Sequence, residues 1–378
     1  MNSAAPTISD VATRAKTTAA TVSRVINNSG YVSAGLRAAV ETAVRELGYV
    51  PNANARVLKT NRSRTIGVVV GDLLNPYAIE LANAVRAVAA MHGYITFIAT
   101  AADDPSSELS VIEAFHRQRV GGLVIATVST AQSDEAIARL VDHRMPMVLV
   151  GRALDEGPVD SVSANFRRGG FLATQHLIEL GHRRVAFVGA DIAEADRVSR
   201  LRGYLDALAK AGLPVKPEYI MGNARTSGSP RYSTQATGYH VAHELLKLPS
   251  RPTAIFARND HTAFGVLQAL RERGYRVPDD FSVAGFDDIP LARQVEPALT
   301  TVSQPTENQG RLAAEFLLGR IERPEEDVSP RNLVLECNLI VRGSTARPQH
   351  QKTTSEGPKP AKKPGRIKSS KKSRPTNK

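Results

Sequence analysis

Ten residues, Thr18-Ala19-Ala20-Thr21-Val22-Ser23-Arg24-Val25-Ile26-Asn27, carry small and hydrogen-bonding side chains on one side and branched aliphatics on the other. Val22, Val25 and Ile26 fall at i, i+3 and i+4, the spacing of a buried helical stripe. Ala19, Ala20, Thr21, Ser23, Arg24 and Asn27 are left outward, with one cation and no acid. A helix with such a face can enter a DNA major groove without meeting phosphate repulsion. The same pattern serves equally well as the solvated side of a small helical subdomain.

A second set of polar residues is spread through the middle of the chain. Asn75-Pro76-Tyr77, Asn259-Asp260 and Asp287 each follow a short β-branched run, while Arg200 precedes Gly203-Tyr204. All but Arg200 stand directly beyond the carboxyl end of a candidate strand, where parallel α/β folds hold their ligands. They read either as turn residues or as a set suited to polyhydroxylated molecules or small anions. Catalytic motifs are missing: the sequence contains no phosphate-binding Gly-x-x-x-x-Gly-Lys-Ser/Thr loop, no Gly-x-Gly-x-x-Gly after a strand and no Gly-x-Ser-x-Gly elbow. His240, His243 and Glu244 lack a third convergent ligand, so a helix face is expected there and no metal or other cofactor. Asp287-Asp288 reads as a loop pair.

These residues need elements to position them. Ile8, Val11 and Ala12, then Val22, Val25 and Ile26, then Leu36, Val40, Ala43, Val44 and Leu47 predict three short helices within the first 50 residues, with Thr18 and Ser33 as N-caps and Gly48 as the stop. From Ile66 onward short strands alternate with helical stretches. The candidate strands are 65–70, 94–99, 122–126, 147–150, 161–162, 184–188, 254–257 and 282–285. Such alternation predicts doubly wound parallel sheets, two of about five or six strands each.

The 378 residues are enough for two or three domains. The net charge of +12 is uneven: residues 1–64 hold 9 Lys/Arg against 3 Asp/Glu, residues 347–378 hold 11 against 1, and the middle holds 29 against 33. Two basic ends suit a polyanion, and the mildly acidic middle does something else. Residues 347–378 have only Ala361 and Ile367 as apolar residues besides proline, a composition expected to stay disordered. This tail can neutralise phosphates but not read bases, or it serves as a solubilising extension. No window of 18 apolar residues is present, the start lacks a signal-peptide pattern, and a single cysteine, Cys337, suits a reducing cytoplasm.

Three blocks of the first 53 residues, Thr7-Ile8-Ser9-Asp10-Val11-Ala12, Ala20-Thr21-Val22-Ser23-Arg24-Val25-Ile26-Asn27 and Glu46-Leu47-Gly48-Tyr49-Val50-Pro51-Asn52-Ala53, closely resemble the headpiece of LacI/GalR-type bacterial transcription regulators. The likeness continues through Arg64-Thr65-Ile66-Gly67-Val68-Val69-Val70, Leu180-Gly181-His182-Arg183-Arg184, Asn259-Asp260, Gly285-Phe286-Asp287-Asp288, Leu299-Thr300-Thr301-Val302 and Leu339-Ile340-Val341-Arg342-Gly343-Ser344, covering about 7–346.

This resemblance implies a helix-turn-helix headpiece at 1–50, a hinge helix and linker at 51–64, and a two-lobed effector domain at 65–346 of the kind seen in periplasmic sugar-binding proteins. It divides that domain into lobe 1 (about 65–164 and 304–330) and lobe 2 (about 165–303 and 331–346). It implies a homodimeric repressor on a palindromic operator, controlled by a sugar, sugar acid or sugar phosphate bound between the lobes. By position, Ala19, Ala20 and Arg24 become base-facing, Thr7, Thr18, Thr21, Ser23 and Asn27 phosphate-contacting, and Leu58 the leucine that wedges into the minor groove. Tyr77, Arg200, Asn259, Asp287 and Gln304 become effector-contacting, with Tyr232 at the stacking-aromatic position, and Asn75 is added to that set from its place beyond the first strand. Three departures stand out. Ala15-Lys16-Thr17-Thr18 replaces the usual Ala-Gly-Val-Ser turn, Gly151 replaces an Asp, and Ala78 replaces a second aromatic after Tyr77. With a carboxylate lost and Arg152 and Arg200 kept, the cleft is expected to favour an acidic or phosphorylated sugar over a neutral one.

Overall fold

The structure, a computed structural model, describes residues 6–50, 63–101, 105–127, 134, 135, 137, 145–152, 159–190, 199–222, 235–324 and 329–349. The expected hinge at 51–62 with Leu58, Tyr232, and the tail from 350 lie outside the described residues. The chain divides into two units, 1–63 and 64–378.

In the first unit α1 (Ile8–Arg14), α2 (Ala19–Ile26) and α3 (Ala34–Leu47) enclose Val11, Ala12, Ala15, Val22, Val25, Val40 and Ala43. Thr7 starts α1 through a reciprocal capping pair: Asp10 N donates to Thr7 Oγ1 at 3.3 Å, and Thr7 N donates to Asp10 Oδ2 at 2.7 Å. Thr18 caps α2, accepting from Thr21 N at 3.2 Å. Ser33 occupies the cap position of α3, but its side chain makes no capping bond, so α3 starts without the hydrogen bond expected of that serine. Lys16, where the resemblance implies glycine, sits at φ +49°. The turn keeps its left-handed geometry and lysine adopts it.

Among the described residues the second unit holds two six-stranded sheets. The first, ordered β11-β5-β4-β3-β1-β2, is parallel throughout and comprises β1 (Thr65–Val70), β2 (Ile95–Thr100), β3 (Leu123–Ala126), β4 (Met147–Val150), β5 (Asp160–Ala164) and β11 (Asn332–Leu335). Helices α4 (Pro76–Met91), α5 (Pro105–Arg117) and α10 (Thr306–Glu322) pack against it. The second, ordered β12-β10-β9-β8-β6-β7, comprises β6 (Val185–Val188), β7 (Ile220–Met221), β8 (Ala254–Ala257), β9 (Ser282–Asp287), β10 (Thr300–Ser303) and β12 (Asn338–Ile340). Among the described residues its only antiparallel pair is β10 with β12. Helices α6 (Phe166–Glu179), α7 (Ser199–Lys210), α8 (Gln235–Lys247) and α9 (Asp260–Glu272) cover this sheet. Central strands such as β4, β6 and β8 are buried along their whole length, as parallel strands covered on both faces must be.

The chain crosses between lobes after β5, after β10 and between β11 and β12. This corrects the expected boundary, which gave all of 331–346 to lobe 2. Residues 332–335 pair with β5 in lobe 1, Asn332 opposite Ser161 through Leu335 opposite Ala164. The buried Asp160 carboxylate fixes that pairing: it accepts from Arg320 Nη2 at 2.8 Å, from Arg331 Nη2 at 2.6 Å and from Arg331 N at 2.8 Å. Among the described residues no helix is long and apolar enough to cross a membrane.

Candidate DNA-reading face and effector cleft

On α2, Ala19, Ala20 and Arg24 are exposed while Val22 and Val25 are buried, so the apolar stripe faces the core and the expected base-reading residues face outward. The polar residues beside them are held in place by one another. Thr18 Oγ1 and Thr21 Oγ1 share a hydrogen bond of 3.0 Å, and Asn27 Nδ2 donates to Ser23 O at 2.8 Å and to Ser23 Oγ at 3.1 Å. Arg24 has no acidic partner among the described residues, and its guanidinium is available to an external acceptor. Thr7 is exposed at the start of α1.

In the second unit, Arg200, Asp287 and Gln304 converge. Asp287 ends β9, Arg200 lies in the first turn of α7, and Gln304 follows β10. Asp287 Oδ1 accepts from Gln304 Nε2 at 2.7 Å and from Arg200 Nη2 at 3.3 Å. The Arg200 guanidinium lies over two rings, 4.2 Å from the centre of Phe286 and 4.6 Å from that of Phe166. Arg200 Nε and Gln304 Oε1 are buried and have no hydrogen-bond partner among the described residues. The site therefore offers a guanidinium donor, an amide acceptor and a carboxylate within one buried cluster. Burial pushes the Asp287 carboxyl up to about 6, against the opposing pull of Arg200, Gln304 and Arg258. The half-buried Tyr77 of α4 feels the same carboxylate: burial, and after it Asp287, raise its phenol above the ordinary range. Cys337, in the third crossover, is buried, and its thiol is pushed up to about 11 by burial.

The other expected effector residues stand differently. Asn75 and Asn259 are helix N-caps: Asn75 Oδ1 accepts from Tyr77 N at 3.1 Å and Asn259 Oδ1 from Thr262 N at 2.8 Å. Each thereby positions the first turn of the helix that borders the site. Arg152 is not brought to the Arg200–Asp287 set. It is buried in lobe 1 against Glu108 of α5 at 2.6 Å, and Thr127 Oγ1 donates to that same carboxylate oxygen. Asp134 lies 3.4 Å from its other terminal nitrogen. Its charge is balanced locally, which removes one of the two cations behind the expectation of an anionic ligand. Gly151 has φ +78°, a backbone that an aspartate there would adopt only under strain.

The profile of bacterial regulatory proteins of the lacI family matches residues 7–52, and that of the periplasmic binding protein-like domain matches 174–345. The HTH-type transcriptional repressor PurR of Yersinia pestis is 35% identical over 342 residues, which span 90% of this chain and 97% of that protein. The chain belongs to the LacI family. The ribose operon repressor of Escherichia coli is likewise 35% identical, over 89% of this chain and 99% of that one. Among solved structures, the Lac repressor dimer bound to operator and the anti-inducer ONPF matches with a TM-score of 0.77 at 27% identity, over 91% of this chain and 100% of that one. A CelR–cellobiose complex matches with a TM-score of 0.65 at 33% identity, over 90% and 99%.

This LacI-family chain is a DNA-binding transcriptional regulator: a helix-turn-helix unit joined to a two-lobed α/β domain. Sequence reading missed Phe166 and Phe286 at the Arg200 guanidinium, and it named Asp260 only together with Asn259 beyond β8, without its tie to the turn after β9. Phe286 stands beside Asp287, which was singled out, yet one-dimensional spacing does not show that two rings flank a guanidinium contributed by a third segment.

Proposed function

We propose that this regulator represses transcription as a homodimer on a palindromic operator in the cytoplasm, and that a neutral polyhydroxylated molecule of sugar size, bound between its lobes, controls operator affinity. The observation that carries the effector reading is the Arg200–Asp287–Gln304 cluster with its two unpartnered buried atoms. Adjacent hydroxyls satisfy such a set, because each donates to a carboxylate or amide oxygen and accepts from a guanidinium. Arg200 already faces Asp287 and Arg152 already faces Glu108, so neither of these two cations is left uncompensated for a phosphate. Relatives of this architecture carry cellobiose and ribose in their solved complexes. Two-fold symmetry of a dimer matches inverted half-sites, and exposed Ala19, Ala20 and Arg24 supply the base contacts.

Calorimetric titration with pentoses, hexoses, disaccharides and their phosphates tests the effector class. Saturable binding of a neutral sugar that alters operator affinity is expected, and binding confined to phosphorylated sugars overturns the neutral reading. In this reading the cleft does not turn its ligand over, which chromatography of the bound sugar after long incubation checks.

The organisation proposed is headpiece 1–50, hinge 51–64, two-lobed domain 65–346 and basic tail 347–378. The tail's 11 cations against Glu356 alone add sequence-independent attraction to phosphates. Deleting residues 347–378 is expected to flatten the slope of log K against log salt by about 0.9 for each phosphate no longer neutralised, with operator preference over random DNA rising or staying level. An unchanged slope leaves only the solubilising role.

A further inference from the structure

The turn that presents Asp287 is held in an unfavourable backbone. Asp287 has φ +114°, outside the regions open to ordinary side chains, and Asp288 has φ +56°, the φ of the left-handed region that few non-glycine residues adopt. Such conformations persist only where surrounding contacts over-determine them. On one side Asp288 is tethered by Arg342 and Arg293. On the other side stands Asp260, the first residue of α9, which is fully buried. Its Oδ2 accepts from Ile289 N at 2.9 Å, and its Oδ1 accepts from Thr301 Oγ1 of β10. Room for that carboxylate comes from Gly285 of β9: a Cβ at 285 would collide with Asp260 Oδ1.

We propose that Asp260 is a positioning residue of the effector cleft: its carboxylate ties the turn at 287–289 to β10 and thereby fixes where Asp287 presents its own carboxylate. The inference rests on the reading of Asp287 as an effector acceptor and deepens it.

The position is an expensive one for an acid. Burial first, and then the neighbouring charge of Asp287, push the Asp260 carboxyl well above its ordinary range; the hydrogen bonds from Thr301 and Ile289 oppose this. An uncharged side chain avoids that penalty, but it keeps the tie between the two segments only if it has both an acceptor for Ile289 N and a group that can meet the Thr301 hydroxyl. The arrangement keeps the acceptor geometry at the expense of local stability, the pattern expected where a site must be held in one conformation.

Amide hydrogen exchange on the full chain without ligand tests it. In Asp260→Ala, exchange of the Ile289 amide should accelerate by about tenfold or more while Ile255 and Phe256 in β8 keep wild-type rates. The ¹³C-carboxyl titration of Asp287 should move from about 6 toward an ordinary carboxylate as its side chain swings into water. Asp260→Asn keeps an acceptor for Ile289 N and an amide that the Thr301 hydroxyl can meet, so both readouts should return to wild type. Wild-type exchange at Ile289 in Asp260→Ala together with an unmoved Asp287 titration overturns the proposal. So does an Asp260→Asn variant that behaves like the alanine, because charge and not geometry would then be responsible. Should Asp260→Ala fail to fold, Thr301→Val removes one anchor alone, and wild-type exchange there overturns the proposal equally. Asp287→Asn leaves the clamp intact and should keep Ile289 protected. If that variant also retains full effector response, the effector reading falls while the clamp stands.

Discussion

The headpiece and the cleft solve opposite problems with similar residues. The candidate DNA-reading face of α2 is exposed, and its hydrogen bonds are local: Thr18 with Thr21, and Asn27 with Ser23 one turn away. The cleft is buried, and its hydrogen bonds join residues far apart in the chain, as Arg200 and Gln304 do at Asp287. A surface that meets a polyanion works in water, where an exposed guanidinium such as that of Arg24 is solvated until DNA displaces the water. A site that must hold a small molecule excludes water, so each charge there needs a partner before the ligand arrives. Sensitivity to mutation should follow this contrast: steep and pH-dependent in the cleft, graded and specificity-changing on the face.

The largest effect expected is at Asp287. Asp287→Ala removes the acceptor shared by Arg200 and Gln304 and leaves Arg200 buried without its counter-charge; effector affinity should fall by about 2–5 kcal/mol, read by calorimetry with the wild-type ligand. The same carboxyl makes stability depend on pH. Because burial raises the folded carboxyl to about 6, above the usual carboxylate range, the folded state binds more protons than the unfolded state between those limits. Stability therefore declines as pH rises from about 4 to 6 and levels off above, a contribution on the order of 3 kcal/mol. Urea unfolding of wild type and Asp287→Asn at pH 4 and pH 7 checks the sign: wild type should lose ground to the variant over that interval. If it gains, pairing with Arg200 outweighs burial, and the cleft behaves electrostatically as the exposed face does.

On α2 the expected effects are smaller and of another kind. Arg24→Ala should cost about 1–3 kcal/mol on operator and relax base preference, since a guanidinium directed at a base edge carries information. Equal weakening on operator and random DNA in a filter-binding titration would make Arg24 a phosphate contact. Thr18→Ala should cost about 1 kcal/mol of headpiece stability through loss of the bond to Thr21 N, measured by thermal unfolding of the full chain at the headpiece transition. A loss of DNA affinity larger than this stability change would show that the Thr18 hydroxyl also touches a phosphate.

The same contrast governs what the sequence revealed. Strands 65–70, 147–150 and 254–257 were legible to the residue because runs of Ile, Val, Leu and Ala bounded by turn chemistry admit few other readings. Thr18 as a cap and the outward set on α2 were legible because helix chemistry acts within four residues. Strands β7 (220–221), β10, β11 and β12 were not singled out: they are two to four residues long, and each is held by the hydrogen bonds of a neighbouring strand. Assigning β11 to lobe 1 needed the Asp160–Arg331 pair, and seeing Arg152 as a locally paired cation needed Glu108, 44 residues earlier. Local rules say which residues can do chemistry; which of them are already engaged is a property of the fold.

Lys16 gives the smallest expected effect and tests the local chemistry of the headpiece by itself. Its φ of +49° is one that glycine adopts freely and a lysine reaches only against the clash of its Cβ. Lys16→Gly therefore relieves strain in the folded turn but also loosens the unfolded chain, and the two effects oppose each other. A net gain of about 0.5 kcal/mol in headpiece stability is expected, because the steric penalty of the left-handed region exceeds the added chain entropy at a single position. Operator affinity reports the turn separately. If the turn holds α1 and α2 in their bound arrangement already, the glycine variant should bind operator no more tightly than the removal of one exposed cation allows, with a slightly shallower salt slope. A gain in operator affinity beyond the stability change would mean that lysine holds the turn away from its bound geometry. The headpiece would then, like the cleft, depend on strain that only the complete assembly resolves.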